Sequence, residues 1–66
     1  MLSARNQFRG TVKSVVLGNV AAEVIVGVGN LEVVSMITRT SAERLGLKVG
    51  DAVTVVIKST EVLIDK

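Results

Sequence analysis

The sequence predicts an all-β domain with one short helix, folded as a five-stranded OB-like Greek-key barrel. Val and Ile are abundant while Pro is absent, and apolar residues alternate with period two in several stretches, the pattern of half-buried strands. That alternation is interrupted once, by a segment with its own start and stop signals for a helix. The resulting order, strand-strand-strand-helix-strand-strand, suits a small Greek-key barrel. A generic all-β barrel is the plainer reading of the same pattern.

The first strand is expected over about Asn6 to Leu17, with Phe8, Gly10, Val12, Ser14 and Val16 on one face and Gln7, Arg9, Thr11 and Lys13 on the other. Gly18-Asn19 then turns the chain. The second strand, about Val20 to Val28, places Ala22, Val24, Val26 and Val28 on one side, and Gly29-Asn30 makes the next turn. The third, Leu31 to Thr38, is apolar on both faces apart from Glu32 and Ser35, which predicts cover on both sides, with a partner subunit as one candidate cover. Thr40-Ser41-Ala42-Glu43 has the spacing of a capping box, so a helix of one or two turns is expected to start there. Gly46 would end it in the left-handed conformation, with Leu47 packing beyond. Gly50-Asp51 turns into a fourth strand, Ala52 to Ile57, and a fifth is expected over Glu61 to Ile64.

Sixty-six residues make a single domain, residues 1–66, and a core of this size is marginal for a monomer. With no Cys, disulfides and thiolate-held metals cannot supplement it. Hydrophobic residues are 48% of the chain and the mean hydropathy is +0.56, more apolar than a small soluble monomer hides. A homo-oligomer with large apolar interfaces is therefore expected. The longest apolar stretch, Val24 to Val28, is five residues, against about 20 for a spanning helix. The first residues lack the apolar run of a secretory signal, so a cytoplasmic location is expected and no membrane partner.

Composition also limits the chemistry. The absence of His, Cys, Trp and Tyr removes the usual proton shuttle, nucleophilic thiol and soft metal ligands, so neither an enzyme nor a protein-ligated metal or cofactor is expected. Nucleic-acid binding is disfavoured too. The net charge of +2 is scattered, and the one aromatic residue, Phe8, shares a face with Val12 and belongs to the core rather than to a stacking platform.

What remains are two segments that each set a cation beside hydroxyls and backbone N–H groups, Ser3-Ala4-Arg5-Asn6 and Ile57-Lys58-Ser59-Thr60. A tetrahedral oxyanion needs converging N–H and O–H donors and positive charge to offset its own. Arg5 and Lys58 supply the charge; Ser3, Ser59 and the N–H groups of Ala4 and Ser59 supply neutral donors. The helix opening at Thr40-Ser41 adds a positive dipole end.

The opening Ser3-Ala4-Arg5-Asn6-Gln7 with Gly10 following, the central Ser35-Met36-Ile37-Thr38 leading to Ser41 and Leu45, and the closing Val56-Ile57-Lys58-Ser59-Thr60-Glu61-Val62 resemble the Mop, or molbindin, type of TOBE domain. The likeness covers essentially the whole chain. It implies a small cytoplasmic protein that binds molybdate, and also tungstate, for molybdenum storage or buffering, as a homohexamer arranged as a trimer of dimers. It further implies that oxyanions lie between subunits. Ser3, Ala4 through its N–H, Arg5, Lys58 and Ser59 would come from one chain, with Thr38 and Ser41 from its neighbour. Asn19 and Val20 are candidates for a second class of site near a threefold axis, built largely from backbone groups.

Two other readings compete. Leu45-Gly46-Leu47-Lys48-Val49-Gly50-Asp51 resembles a turn of AbrB-like swapped-hairpin DNA-binding proteins, although those usually carry an Ile-Pro segment that this chain lacks. A ligand-free structural oligomer, with Arg5 and Lys58 paired to carboxylates across an interface, is the third.

Overall fold

The computed structural model describes residues 3–66. Three strands run consecutively, β1 (Asn6–Leu17), β2 (Ala21–Val28) and β3 (Leu31–Thr38). They are followed by the helix α1 (Arg39–Leu45) and by β4 (Ala52–Ile57). The sheet is antiparallel in the order β3-β2-β1-β4. Three hairpin-linked strands, with a fourth returning beside the first, make a Greek key.

β1 is shared between two neighbours. Its first half, Asn6 to Thr11, pairs with β4, and the remainder, from Thr11, pairs with β2. Two features let one strand serve both. At Gly10 a Cβ would lie 2.5 Å from the Gly27 carbonyl oxygen, so only glycine permits the close approach of β1 to β2. At Lys13 the register slips from Val12 opposite Val26 to Ser14 opposite Ile25, a bulge that increases bend and twist.

The bulge corrects the expected faces of β1. Beyond it Val15, not Val16, lies opposite the buried Val24 and packs on the core, while Val16 is turned out. The core proper is Val12, Val24 and Val26, with Val28, Ile37, Leu47, Val53 and Val55 against it. Phe8 pairs with Val55 on this inner side but near the end of the ladder, where it remains 43% exposed; it is a rim residue rather than the core residue expected.

The helix starts earlier than its Thr40-to-Glu43 spacing suggests. Thr38 is the N-cap and Thr40 lies inside α1. Thr38 ends β3 in an extended conformation, paired with Ala21, so its hydroxyl is already aimed at the first turn, and the Arg39 N–H is taken by the Val20 carbonyl at 2.8 Å. Glu43 pairs with Arg39 at 3.5 Å instead of reaching back to Thr40. The stop is as expected. Gly46 adopts φ 61°, ψ 38°, and the Gly46 and Leu47 N–H groups donate to Glu43 and Ala42 carbonyls at 3.0 and 3.2 Å, a Schellman closure.

The expected fifth strand over Glu61 to Ile64 does not form in the single chain. A 3-10 turn over Ser59–Glu61 redirects the backbone after β4, and Leu63 and Ile64 stand 92% and 89% exposed, outside any ladder. A cleft of about 500 Å³ lies between β3 and β4, the two sheet edges that a complete barrel would close. Apolar side chains left open also include Leu31, Val34 and Met36 of β3. One chain buries little of its apolar content.

Candidate oxyanion site

The pairing of β1 with β4 ends at Asn6 opposite Ile57. The residues just outside that pair, Ser3 to Arg5 on one strand and Lys58 to Ser59 on the other, therefore leave the sheet at the same end. Two segments more than fifty positions apart in sequence thus become neighbours. Ser3, Arg5, Lys58 and Ser59 are exposed and Ala4 is half-buried. The 3-10 turn begins with Lys58 as its cap, and its Glu61 N–H donates to the Lys58 carbonyl at 2.9 Å. The opening N–H groups of such a turn, those of Ser59 and Thr60, have no acceptor within it and point away from its start. Among the described residues neither Arg5 nor Lys58 pairs with a carboxylate, and the one ion pair is Arg39 with Glu43. The result is a concentration of positive charge and donors, with neither cation in an ion pair among the described residues.

Thr38 and Ser41 form a second group. The Ser41 N–H donates to Thr38 Oγ1 at 3.0 Å, and Thr38 Oγ1 donates to Ser41 Oγ at 2.8 Å. In that arrangement the Ser41 hydroxyl proton is free for an external acceptor, and each bond polarises the next. Both residues are exposed. The group belongs to the other end of the sheet: Thr38 pairs with Ala21, next to the Ala22–Leu17 pair at the end of β1. β1 is 12 residues long, so at roughly 3.3 Å per residue the two groups flank opposite ends of a long strand. Among the described residues no side-chain hydrogen bond joins them.

Asn19 and Val20 lie in the exposed bend between β1 and β2. This bend is tied to α1 by Arg39, whose N–H donates to the Val20 carbonyl at 2.8 Å and whose Nη1 donates to the Gly18 carbonyl at 3.3 Å. The Val20 carbonyl is thus engaged. Sequence reasoning passed over Arg39, although its i,i+4 spacing to Glu43 was visible. It likewise left Gln7 without a role; its Nε2 donates to the Ala4 carbonyl at 2.7 Å.

Five of the seven residues of the AbrB-like turn hold the fold. Gly46 closes α1 and Leu47 packs on the core. The Lys48 N–H donates to Asp51 Oδ2 at 2.9 Å, and the backbone of Gly50 and Asp51 exchanges bonds with Val12 at 2.8 and 2.9 Å.

The fold is a small OB-like Greek key that presents cations and hydroxyls at its strand ends. The chain belongs to the TOBE domain family, whose model matches residues 2–64. It is 48% identical over 64 residues to molybdenum-pterin-binding protein 3 of Clostridium pasteurianum, covering 96% of this chain and 94% of that protein. A molybdate-binding protein from Sporomusa ovata has the same fold at TM-score 0.96 and 38% identity, over 100% of this chain and 98% of that one. ModG, described as a cytoplasmic molybdate-binding protein and solved with molybdate bound, superposes at TM-score 0.85 and 43% identity, over 89% of this chain and 43% of ModG.

Proposed function

We propose that this chain, acting as one domain over residues 1–66, binds molybdate, and by the same chemistry tungstate, between subunits of a homohexamer built as a trimer of dimers. The role is cytoplasmic storage or buffering of molybdenum, without a cofactor and without catalysis. The observation that carries the reading is the Asn6–Ile57 pair, which sets Ser3, Ala4, Arg5, Lys58 and Ser59 side by side at one end of the sheet while Thr38 and Ser41 stand at the other. We read a site using both groups as one drawn from two chains, because no side-chain hydrogen bond joins them within one among the described residues. The named molybdate-binding relatives support the choice of ligand.

Assembly has a physical motive. Thirteen large apolar residues are exposed among those described, from Phe8 to Ile64, against five buried apolar ones. Covering them recovers about 25 cal/mol per Å² of apolar surface. An anion that bridges chains then stabilises the assembled state by mass action.

Selectivity against phosphate also follows. None of the seven proposed contacts is a carboxylate, so the proton that phosphate carries near neutral pH meets no charged acceptor there and only hydroxyl oxygens that would otherwise donate, whereas molybdate is a fully deprotonated dianion. Titration calorimetry with molybdate, sulfate and phosphate, together with native mass spectrometry, tests the proposal. Molybdate binding that is tight while sulfate and phosphate are weak, from a hexamer, is the expected result. No heat with any of the three from a folded oligomer overturns it, and DNA binding that weakens steeply with salt would replace it.

A further inference from the structure

We infer that Gln7 is a positioning residue for the oxyanion site, an inference that rests on the reading just given. Gln7 is in β1, held by its pairing with Val56, and its exposed side chain turns back three residues so that Nε2 donates to the Ala4 carbonyl at 2.7 Å. That bond spans the only part of the site that lies outside regular structure on the β1 side, since Ser3 to Arg5 precede the first strand pair. The partner segment needs no such tie, because Lys58 and Ser59 are fixed by β4 and by the 3-10 turn.

The consequence is directional. A trans peptide holds its C=O and N–H antiparallel. Fixing the Ala4 carbonyl toward Gln7 therefore fixes the plane of the Ala4–Arg5 peptide and sends the Arg5 N–H the opposite way. It also sets the point from which the Arg5 side chain departs. An anion arriving at a segment already held in one orientation does not have to order it, which is the usual gain from preorganisation. An amide is suited to the task. It donates to a carbonyl, as a carboxylate at the same position could not, and it adds no charge beside a site for an anion.

The test uses the whole chain with Gln7→Met, which keeps the length and neutrality of the side chain but removes the donor, and Gln7→Glu as a second variant. Calorimetry with sodium molybdate reads affinity, and thermal denaturation of the ligand-free oligomer reads structure. Loss of one neutral hydrogen bond predicts about threefold to tenfold weaker molybdate binding by Gln7→Met, and at least that by Gln7→Glu, with the ligand-free melting temperature unchanged. The loss should be non-additive with Arg5→Ala, through which Gln7 acts, and additive with Lys58→Ala. Unchanged affinity of Gln7→Met in a protein that otherwise binds molybdate overturns the inference and leaves the function intact. A lowered melting temperature with additivity in both pairs also overturns it, in favour of a structural role. If the unsubstituted protein does not bind molybdate, the proposed function fails and this inference falls with it.

Discussion

Asn6 and Ile57 are the last partners of the β1–β4 ladder, and their pairing makes the two cation-bearing segments of this chain adjacent at one end of the sheet. Each cation there is exposed and lacks a carboxylate partner among the described residues. Charge-assisted hydrogen bonds contribute about 1.5–3 kcal/mol. Arg5→Ala and Lys58→Ala are each expected to weaken molybdate binding by about tenfold or more on that basis, while native mass spectrometry shows the same oligomer. Unchanged affinity in both variants would remove these residues from the site.

Thr38 and Ser41 should separate stability from binding. Thr38 Oγ1 caps α1 by accepting the Ser41 N–H, so Thr38→Val is expected to cost about 1 kcal/mol of stability as well as affinity. Ser41→Ala keeps the backbone N–H and hence the cap. Its melting temperature should stay close to that of the parent while its molybdate affinity falls. Equal destabilisation by the two variants would contradict this division.

Gly10 is expected to be intolerant of any side chain. A Cβ there meets the Gly27 carbonyl at 2.5 Å and Val26 Cγ1 at 2.8 Å, and backbone on a paired strand cannot move aside. Gly10→Ala should lower the urea midpoint by an amount corresponding to about 1–3 kcal/mol, the usual cost of overpacking. A midpoint equal to that of the parent would show that β1 and β2 approach less closely.

The exposed C-terminal residues offer a test of association. Leu63 and Ile64 present almost their whole surface in a single chain. Replacing both, Leu63→Asp with Ile64→Asp, is expected to shift sedimentation velocity toward smaller species and, if the proposed site between chains holds, to weaken molybdate binding in parallel. Intact assembly after the double change would assign the interface to other apolar residues.

Much of the fold was legible because the signals were local. The limits of β1, β3 and β4 follow from period-two alternation and from punctuation by Gly18-Asn19, Gly29-Asn30 and Gly50-Asp51. Gly46 ends the helix for a reason contained in its own backbone, a positive φ that costs glycine nothing. The residue types suited to an oxyanion, and the absence of side chains for most other chemistry, were likewise readable from composition alone.

Other features depended on partners far along the chain. Thr38 and Thr40 are equally good caps by residue type, and the choice fell to Thr38 because β2 holds it extended through Ala21 and takes the next N–H at Val20. The bulge at Lys13, which exchanged Val15 for Val16 on the core face, is set by the register against β2. Glu61 to Ile64 has the composition of a strand, but a strand exists only where an edge pairs with it, and after the turn at Ser59–Glu61 this segment joins no ladder in its own chain. The sequence by itself determined which chemistry was present and where chain direction changes, since both are properties of single residues and near neighbours. Only the tertiary structure decided which distant groups meet, because antiparallel pairing converts separation along the chain into proximity between Asn6 and Ile57 and keeps Thr38 at the far end of β1.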